Sequence, residues 1–309
     1  MRARGIFLRG LAMGAADIVP GVSGGTVAFI SGIYPRLLHS LRSFDIELLR
    51  LLFRADARAA WDHVDGNFIA ALLAGILTSI FSLARLLSWL LAHYPEPLWA
   101  FFFGLILGSA LLLLRQVPHW QLRQCSALAL GVVAALAVGL APHAEFISGN
   151  AGVFFAGFIA ICAMILPGIS GSFILLLLGM YGPVLTAVKS VDLLFLAIFA
   201  TGAAGGLMTF SRLLDWLLSR YRAATIALLT GFLFGSLVVV WPWKRVLAWV
   251  TGSHGQLKPA QQWPVSPAEY LARTGEEPMI LWCLTMALVG FFLIWWVEHH
   301  WGRLQVDRR

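Results

Sequence analysis

Two stretches decide what kind of molecule this is: Ala16-Asp17-Ile18-Val19-Pro20-Gly21-Val22-Ser23-Gly24-Gly25-Thr26, and Met164-Ile165-Leu166-Pro167-Gly168-Ile169-Ser170-Gly171-Ser172-Phe173. Each lies within a longer apolar segment, about 10–40 and 150–188, and interrupts it with Pro-Gly. Proline removes a backbone donor and clashes with the preceding helical turn. Glycine permits left-handed or extended backbone at little steric cost. Each segment is therefore expected to form two half-helices joined by unwound chain, a re-entrant hairpin that enters and leaves a membrane by one face. In hydrocarbon an unpaired amide costs several kcal/mol. Such breaks are tolerated only where they are buried in protein or line a cavity.

Composition puts the rest of the chain in the bilayer too. Of 309 residues, 60% are hydrophobic and 12% charged, with mean hydropathy +0.83. Soluble domains carry about 25% charged residues and do not hide this much apolar surface. Full spans are expected near 67–92, 97–114, 124–141, 193–218, 223–241 and 279–297, long enough to cross about 30 Å of hydrocarbon as helix. Their continuity argues against an alternating, barrel-type strand pattern. The fold class is thus all-α polytopic, with six transmembrane helices and two re-entrant broken-helix hairpins.

The net charge of +7 does not point to nucleic acid, because the arginines cluster at the ends of apolar segments rather than forming one basic stripe. A cytoplasmic N-terminus puts Arg2, Arg4, Arg9, Arg36, Arg42, Arg50, Arg54, Arg58, Arg115, Arg123, Arg220, Arg222 and Arg303 inside, as the positive-inside rule expects. Lys244 and Arg245 fall outside under that topology, at the start of a polar, proline-containing loop running to residue 278. Cys125, Cys162 and Cys283 stand far apart without metal-ligand spacing, and are expected to be small core residues. No metal site or cofactor is expected. Arg2, Arg4 and Arg9 precede a segment interrupted by Gly14, Asp17 and Pro20, so no cleavable apolar leader is expected there.

The two broken segments also align with each other. Pro20, Gly21, Ser23, Gly24, Gly32 and Tyr34 match Pro167, Gly168, Ser170, Gly171, Gly179 and Tyr181 at a constant spacing of 147 residues. Further on, the runs 84–91 and 211–218 match at a spacing of 127, which also carries Gly104, Gly108 and Ser109 onto Gly231, Gly235 and Ser236. A charged stretch at 41–66, present only in the first half, absorbs the change of spacing. The chain divides into a first repeat, 1–145, and a second, 146–309, each with one hairpin and three crossings. An odd number of crossings inserts the second repeat upside down. Such inverted repeats place transport sites at their interface near the midplane.

At that interface the candidate anion-binding groups are Ser23, Gly24, Gly25, Thr26, Ser170, Gly171 and Ser172. Half-helix starts present amide donors and a positive dipole, and the hydroxyls add donors. Close packing of small residues between helices is the competing reading, but packing has no need of proline. Arg85 and Arg212 occupy matching positions in the repeat. An arginine fork suits phosphate, whereas snorkelling to the interface is the plain alternative. Asp17, opposite Met164, either couples transport to a proton or sodium ion or caps the half-helix that follows. Gly-Val-Ser-Gly and Gly-Ile-Ser-Gly also fit the short pattern of intramembrane serine proteases, yet the eight histidines all fall in loops or at span ends.

The two break motifs, followed in the first half by Gly32-Ile33-Tyr34, resemble a bacterial domain-of-unknown-function family since reassigned as polyprenyl-phosphate transporters; the resemblance covers about residues 5–300. It implies a protein of the bacterial cytoplasmic membrane that returns undecaprenyl phosphate, a lipid carrier, from the outer to the cytoplasmic leaflet. It also implies phosphate contacts at Ser23, Gly24, Gly25, Thr26, Ser170, Gly171 and Ser172. A transporter or channel for a small inorganic anion is the alternative that the residues themselves leave open.

Overall fold

The computed structural model describes residues 3–18, 24–117, 119–140, 149–167, 171–251 and 257–306. The first broken segment forms α1 (Ala3–Ile18), α2 (Gly24–Ile30) and α3 (Tyr34–Arg42). The second forms α9 (Gly149–Ile165), α10 (Gly171–Leu177) and α11 (Tyr181–Ser190). Residues 19–23 and 168–170 lie outside the described residues; α2 and α10 both begin at the glycine four residues beyond the proline, and α9 ends at Ile165, two residues before Pro167. The short helices α2 and α10 stop in the same way, with Gly32 (φ 72°) and Gly179 (φ 69°) in the left-handed region that glycine alone adopts without strain.

Between and after these segments run α4 (Ile46–Phe53), α5 (Ala57–His63), α6 (Gly66–His93), α7 (Pro95–Leu114) and α8 (Leu122–Leu140). The second half continues with α12 (Leu193–Arg220), α13 (Arg222–Ser236), β1 (Lys244–Thr251), β2 (Leu257–Pro264), α14 (Pro267–Thr274) and α15 (Ile280–Val306). Local signals set several starts. Asp45, Asp56, Asp192 and Ser266 accept from the backbone N–H three residues on and so cap α4, α5, α12 and α14. Among the described helices α7, α8 and α12 are long and apolar enough to cross a membrane singly, and α5 with α6, bent by 70°, makes a fourth candidate. α13 and the apolar part of α15 are shorter, at 15 and 17 residues. The helix expected to reach residue 241 stops at Ser236 because Val238-Val239-Val240 is β-branched and Pro242 disfavours helix in the residue before it.

Four long pairings build the body: α1 along α6, α9 along α12, α7 along α15, and α8 along α13. Glycines sit at every one of these contacts, because the backbones approach too closely for a side chain. A Cβ on Gly10 would strike the carbonyl of Leu72, and one on Gly75 the carbonyl of Phe7. In the second half, Gly157 would strike Phe199 and Gly202 would strike Phe154. These four contacts map onto one another through the spacings of 147 and 127 residues found in the sequence. The other two pairings also correspond: Gly104 faces Ala287 and Gly290 faces Phe101, while Gly231 faces Leu128 and Gly131 faces Leu228, through 127 residues for Gly104 and Phe101 and through 159 for Gly131 and Leu128. Here each pairing joins a helix of residues 1–145 to one of residues 146–309.

The stretch 244–278, expected to be a loop, is folded. Val246, Trp249, Val250 and Thr251 favour strand, and β1 pairs antiparallel with β2 from Lys244↔Pro264 to Thr251↔Leu257. The indole of Trp241 donates to Val265 O (2.9 Å) and that of Trp243 to Pro278 O (2.8 Å), which ties the hairpin to the helix ends. Tyr270 on α14 donates to the buried Glu96 carboxylate (2.5 Å) and lies 2.9 Å from Glu276 Oε2. Lys244 Nζ donates to Val239 O (2.6 Å) over the Trp99 ring, 3.8 Å from its centroid. Loss of water around this ammonium lowers its pKa from 10.5 to about 7. Of the cysteines expected in the core, Cys283 is buried and Cys162 half-buried, but Cys125 is exposed in the first turn of α8.

Two outcomes follow. Gly75→Val is expected to destabilise by about 1–3 kcal/mol through overpacking, whereas Gly182→Ala, which meets nothing within 4 Å, leaves thermal unfolding of the purified protein unchanged. The Lys244 site binds its proton more weakly folded than unfolded, so its contribution to stability rises as pH goes from about 7 towards 10.5. Lys244→Met is expected to flatten that rise in unfolding temperature measured at pH 7 and 9.5.

Candidate functional site

The site is built where the two broken segments meet. One buried cluster contains Ala28, Ile33 and Tyr34 from the first segment together with Ala163, Ile165, Ile174 and Leu177 from the second. Within it the Tyr34 hydroxyl, fully buried, donates to the carbonyl oxygen of Ile165 at 3.0 Å. Ile165 is the last residue of α9, immediately before the second Pro-Gly break. The first broken segment is therefore bonded, through the first residue of α3, to the rim of the second break.

Gly24, Gly25 and Thr26 form the first turn of α2 and are buried, Thr26 completely. Gly171 opens α10 and is buried as well. Ser23 and Ser170 lie outside the described residues, as do the side chains of Ser172 on α10 and Arg85 on α6. Arg212 is described. It sits exposed on α12 with its guanidinium donating to Met208 O at 3.1 Å, one turn back, on the outer face of that helix rather than in the buried cluster. The reason is helical phase: Ser211 and Leu214 point inward and are buried, and Arg212 and Leu213 point away.

Asp17, in the last turn of α1, accepts from the Gly24 N–H at 2.7 Å across the break. A Cβ on Gly24 would come within 2.5 Å of Asp17 Oδ2, so the carboxylate is seated directly on the glycine. Asp17 thus performs the capping role for α2. It also occupies the position an anion would take at that helix start. The second break is different in kind. Met164 stands where Asp17 does, and Gly171 lies against Met164 Cβ and the Ala160 carbonyl. One break is already closed by a carboxylate and the other has no acid in that place.

Sequence reasoning passed over three groups around this site. Arg9 on α1 is buried and donates through Nε to Ser31 O (3.2 Å) and through Nη1 to Gly5 O (3.2 Å), pinning the end of α2 to α1. Arg42 on α3 pairs with Asp215 on α12. Arg36 meets Asp65 in a two-point contact, at 2.6 and 3.0 Å, and lies over the Phe68 ring. Asp215 lies in the repeated run 211–218, but its partner Arg42 is 173 residues away and lies outside that run, so only the packing of α3 on α12 could reveal the pair. Among the described residues no set of three His, Cys, Asp or Glu side chains could hold a metal ion.

Comparison with known proteins fits this arrangement. Residues 13–258 match the family described as VCA0040-like, undecaprenyl phosphate translocase-like. The chain belongs to that family. It is 46% identical over 294 residues to a polyprenyl-phosphate transporter of Vibrio cholerae serotype O1, covering 95% of this chain and 96% of that one. It is 32% identical over 253 residues to a polyprenyl-phosphate transporter of Staphylococcus aureus, covering 76% of this chain and 85% of that one. No solved structure matches. The family match takes in both breaks, and with the apolar helices it marks the chain as a membrane protein.

The cap predicts a graded response. Asp17→Asn keeps an oxygen for the Gly24 amide, whereas Asp17→Ala leaves that buried donor without its partner, at a cost of about 1–3 kcal/mol. Thermal unfolding is expected to rank wild type and Asp17→Asn close together and Asp17→Ala clearly lower.

Proposed function

We propose that this protein is a polyprenyl-phosphate translocase of the bacterial cytoplasmic membrane, returning undecaprenyl phosphate from the outer to the cytoplasmic leaflet by alternating access. The observation that carries this reading is the joining of two Pro-Gly breaks in one buried core, in a chain whose full-length relative is named for that lipid. The correspondence of glycine contacts between the halves supports an inverted repeat, with six crossings, two re-entrant hairpins and both termini cytoplasmic.

The chemistry is that of moving one phosphate across an apolar barrier. Uncompensated, the charge would cost many kcal/mol in hydrocarbon. Amides at the starts of α2 and α10 (Gly24, Gly25, Thr26, Gly171 and Ser172, with the hydroxyls of Ser23, Ser170 and Ser172) replace the water it loses, while the polyprenyl tail stays in lipid. With a cytoplasmic N-terminus Arg85, in the outer part of α6, meets the head group as it arrives sideways from the bilayer, and its counterpart Arg212, exposed towards the cytoplasmic end of α12, meets it as it leaves. Asp17 sets the coupling. Its carboxylate and a phosphate compete for the same amides, so phosphate takes the first break when Asp17 is protonated or screened by a cation. Proton or sodium coupling follows from that competition.

The alternative, a carrier or channel for a small inorganic anion, uses the same amides but needs no opening to lipid. The test is leaflet exchange. In vesicles holding labelled polyprenyl phosphate, the protein is expected to accelerate exchange well above the protein-free rate. Arg212→Ala is expected to slow it about tenfold, the loss of one charge-assisted contact. Asp17→Asn is expected to abolish its dependence on pH. Exchange at the protein-free rate, together with rapid chloride or phosphate flux, would replace this reading with the alternative.

A further inference from the structure

The two halves, matched in their glycine contacts, are unequal elsewhere. Tyr34 is fully buried and bonded to Ile165 O. Its counterpart at the spacing of 147, Tyr181, is half-buried and has no such bond to Ile18, the counterpart of Ile165. α3 packs along α12, and Arg42 closes the contact by pairing with Asp215. The counterpart helix α11 has no comparable packing along α6. Instead Gly182, Pro183, Thr186, Val188 and Ser190 on α11 are exposed. The sequence counterparts of Arg42 and Asp215 are Lys189 and Ser88.

A protein made of two equivalent inverted halves has a second state at hand in which the halves exchange conformations. We propose that Tyr34 with the Arg42–Asp215 pair, and Tyr181 with the Lys189–Ser88 pair, are the two gates of this carrier, and that the structure is its outward-facing state. This rests on the inverted-repeat reading above and names its moving parts. With a cytoplasmic N-terminus, Asp215 lies near the cytoplasmic end of α12, so α3 closes the inner side. In the inward-facing state Tyr181 donates to the Ile18 carbonyl, α11 packs along α6 with Lys189 beside Ser88, and α3 leaves α12. Each tyrosine bonds to the rim of the opposite break, so gate closure and the shape of the phosphate cradle change together. The Arg42–Asp215 ion pair on the inner gate weights the empty carrier towards the lipid it must collect outside.

The test uses full-length protein in nanodiscs, with Cys125, Cys162 and Cys283 changed to alanine and a short thiol cross-linker. Arg42→Cys with Asp215→Cys is expected to link readily in the absence of lipid phosphate. Ser88→Cys with Lys189→Cys is expected to link more slowly, and faster when polyprenyl phosphate is added. Protein bearing all four cysteines is expected to form one link or the other, never both in one molecule. Tyr34→Phe, by removing one hydrogen bond, is expected to shift linking about fivefold towards the Ser88–Lys189 pair, and Tyr181→Phe to shift it the other way. Both links in one molecule, or no Ser88–Lys189 link even with Tyr34→Phe, would overturn the proposal. Should a cysteine pair fail to fold, hydrogen exchange of α3 and α11 in the two phenylalanine variants decides instead: opposed changes support the gates and parallel changes reject them. Alternating links without lipid exchange would reject the lipid reading and leave the gates in place.

Discussion

Every feature of this molecule answers to the demand that hydrocarbon makes on a peptide amide: it must have a partner inside the protein. Continuous helices meet that demand by themselves. The two Pro-Gly motifs do not, and the rest of the structure is arranged around them. Gly24 satisfies its amide on Asp17, the Ile165 carbonyl is satisfied by Tyr34, and Arg9 takes the Ser31 carbonyl at the far end of α2. These three bonds span 7, 131 and 22 residues, and each lies at a helix end that a soluble protein would leave to water. The long helices hold the breaks in register by packing backbone against backbone through glycine, where no side chain fits.

The same demand explains why such a costly arrangement suits a phosphate. Groups that must be paired when the site is empty are groups that can pair with a guest when it is full. At the first break the resident partner of the Gly24 amide is a carboxylate, itself an anion, so under the proposed function occupation by phosphate and the charge on Asp17 are alternatives. At the second, Met164 offers no such competitor. On the proposed reading, two breaks of unequal character give a head group a path with a conditional station and an unconditional one.

Much of this was legible in the sequence, and the reasons are physical. Composition identifies membrane helices because an apolar run of sufficient length has few other uses. Proline and glycine act locally, so the ends of the flanking helices could be read: α9 stops at Ile165 ahead of Pro167, and α2 and α10 start at Gly24 and Gly171. What escaped were features that depend on phase or on distant partners. Arg212 matched Arg85 in the alignment, but one residue of helical phase turns it away from the buried cluster. The pairing of Arg42 with Asp215 and of Tyr34 with Ile165 spans more than a hundred residues, and no spacing rule reaches so far. The 244–278 segment looked like a connector because its prolines and charges hid a short strand pattern. Trp241 and Trp243, immediately before it, tie the β-hairpin to the helix ends.

The account stands or falls on where the phosphate sits. Phosphorus-to-amide distances measured by solid-state NMR, on protein loaded with a short-chain polyprenyl phosphate and labelled with nitrogen-15 at glycine, address that directly. The account predicts close contact between the phosphorus and the amides of Gly171 and Gly24, the latter only after Asp17 is protonated or changed to asparagine. A phosphorus bound stably elsewhere on the protein, with neither glycine amide near it under any condition, would contradict it.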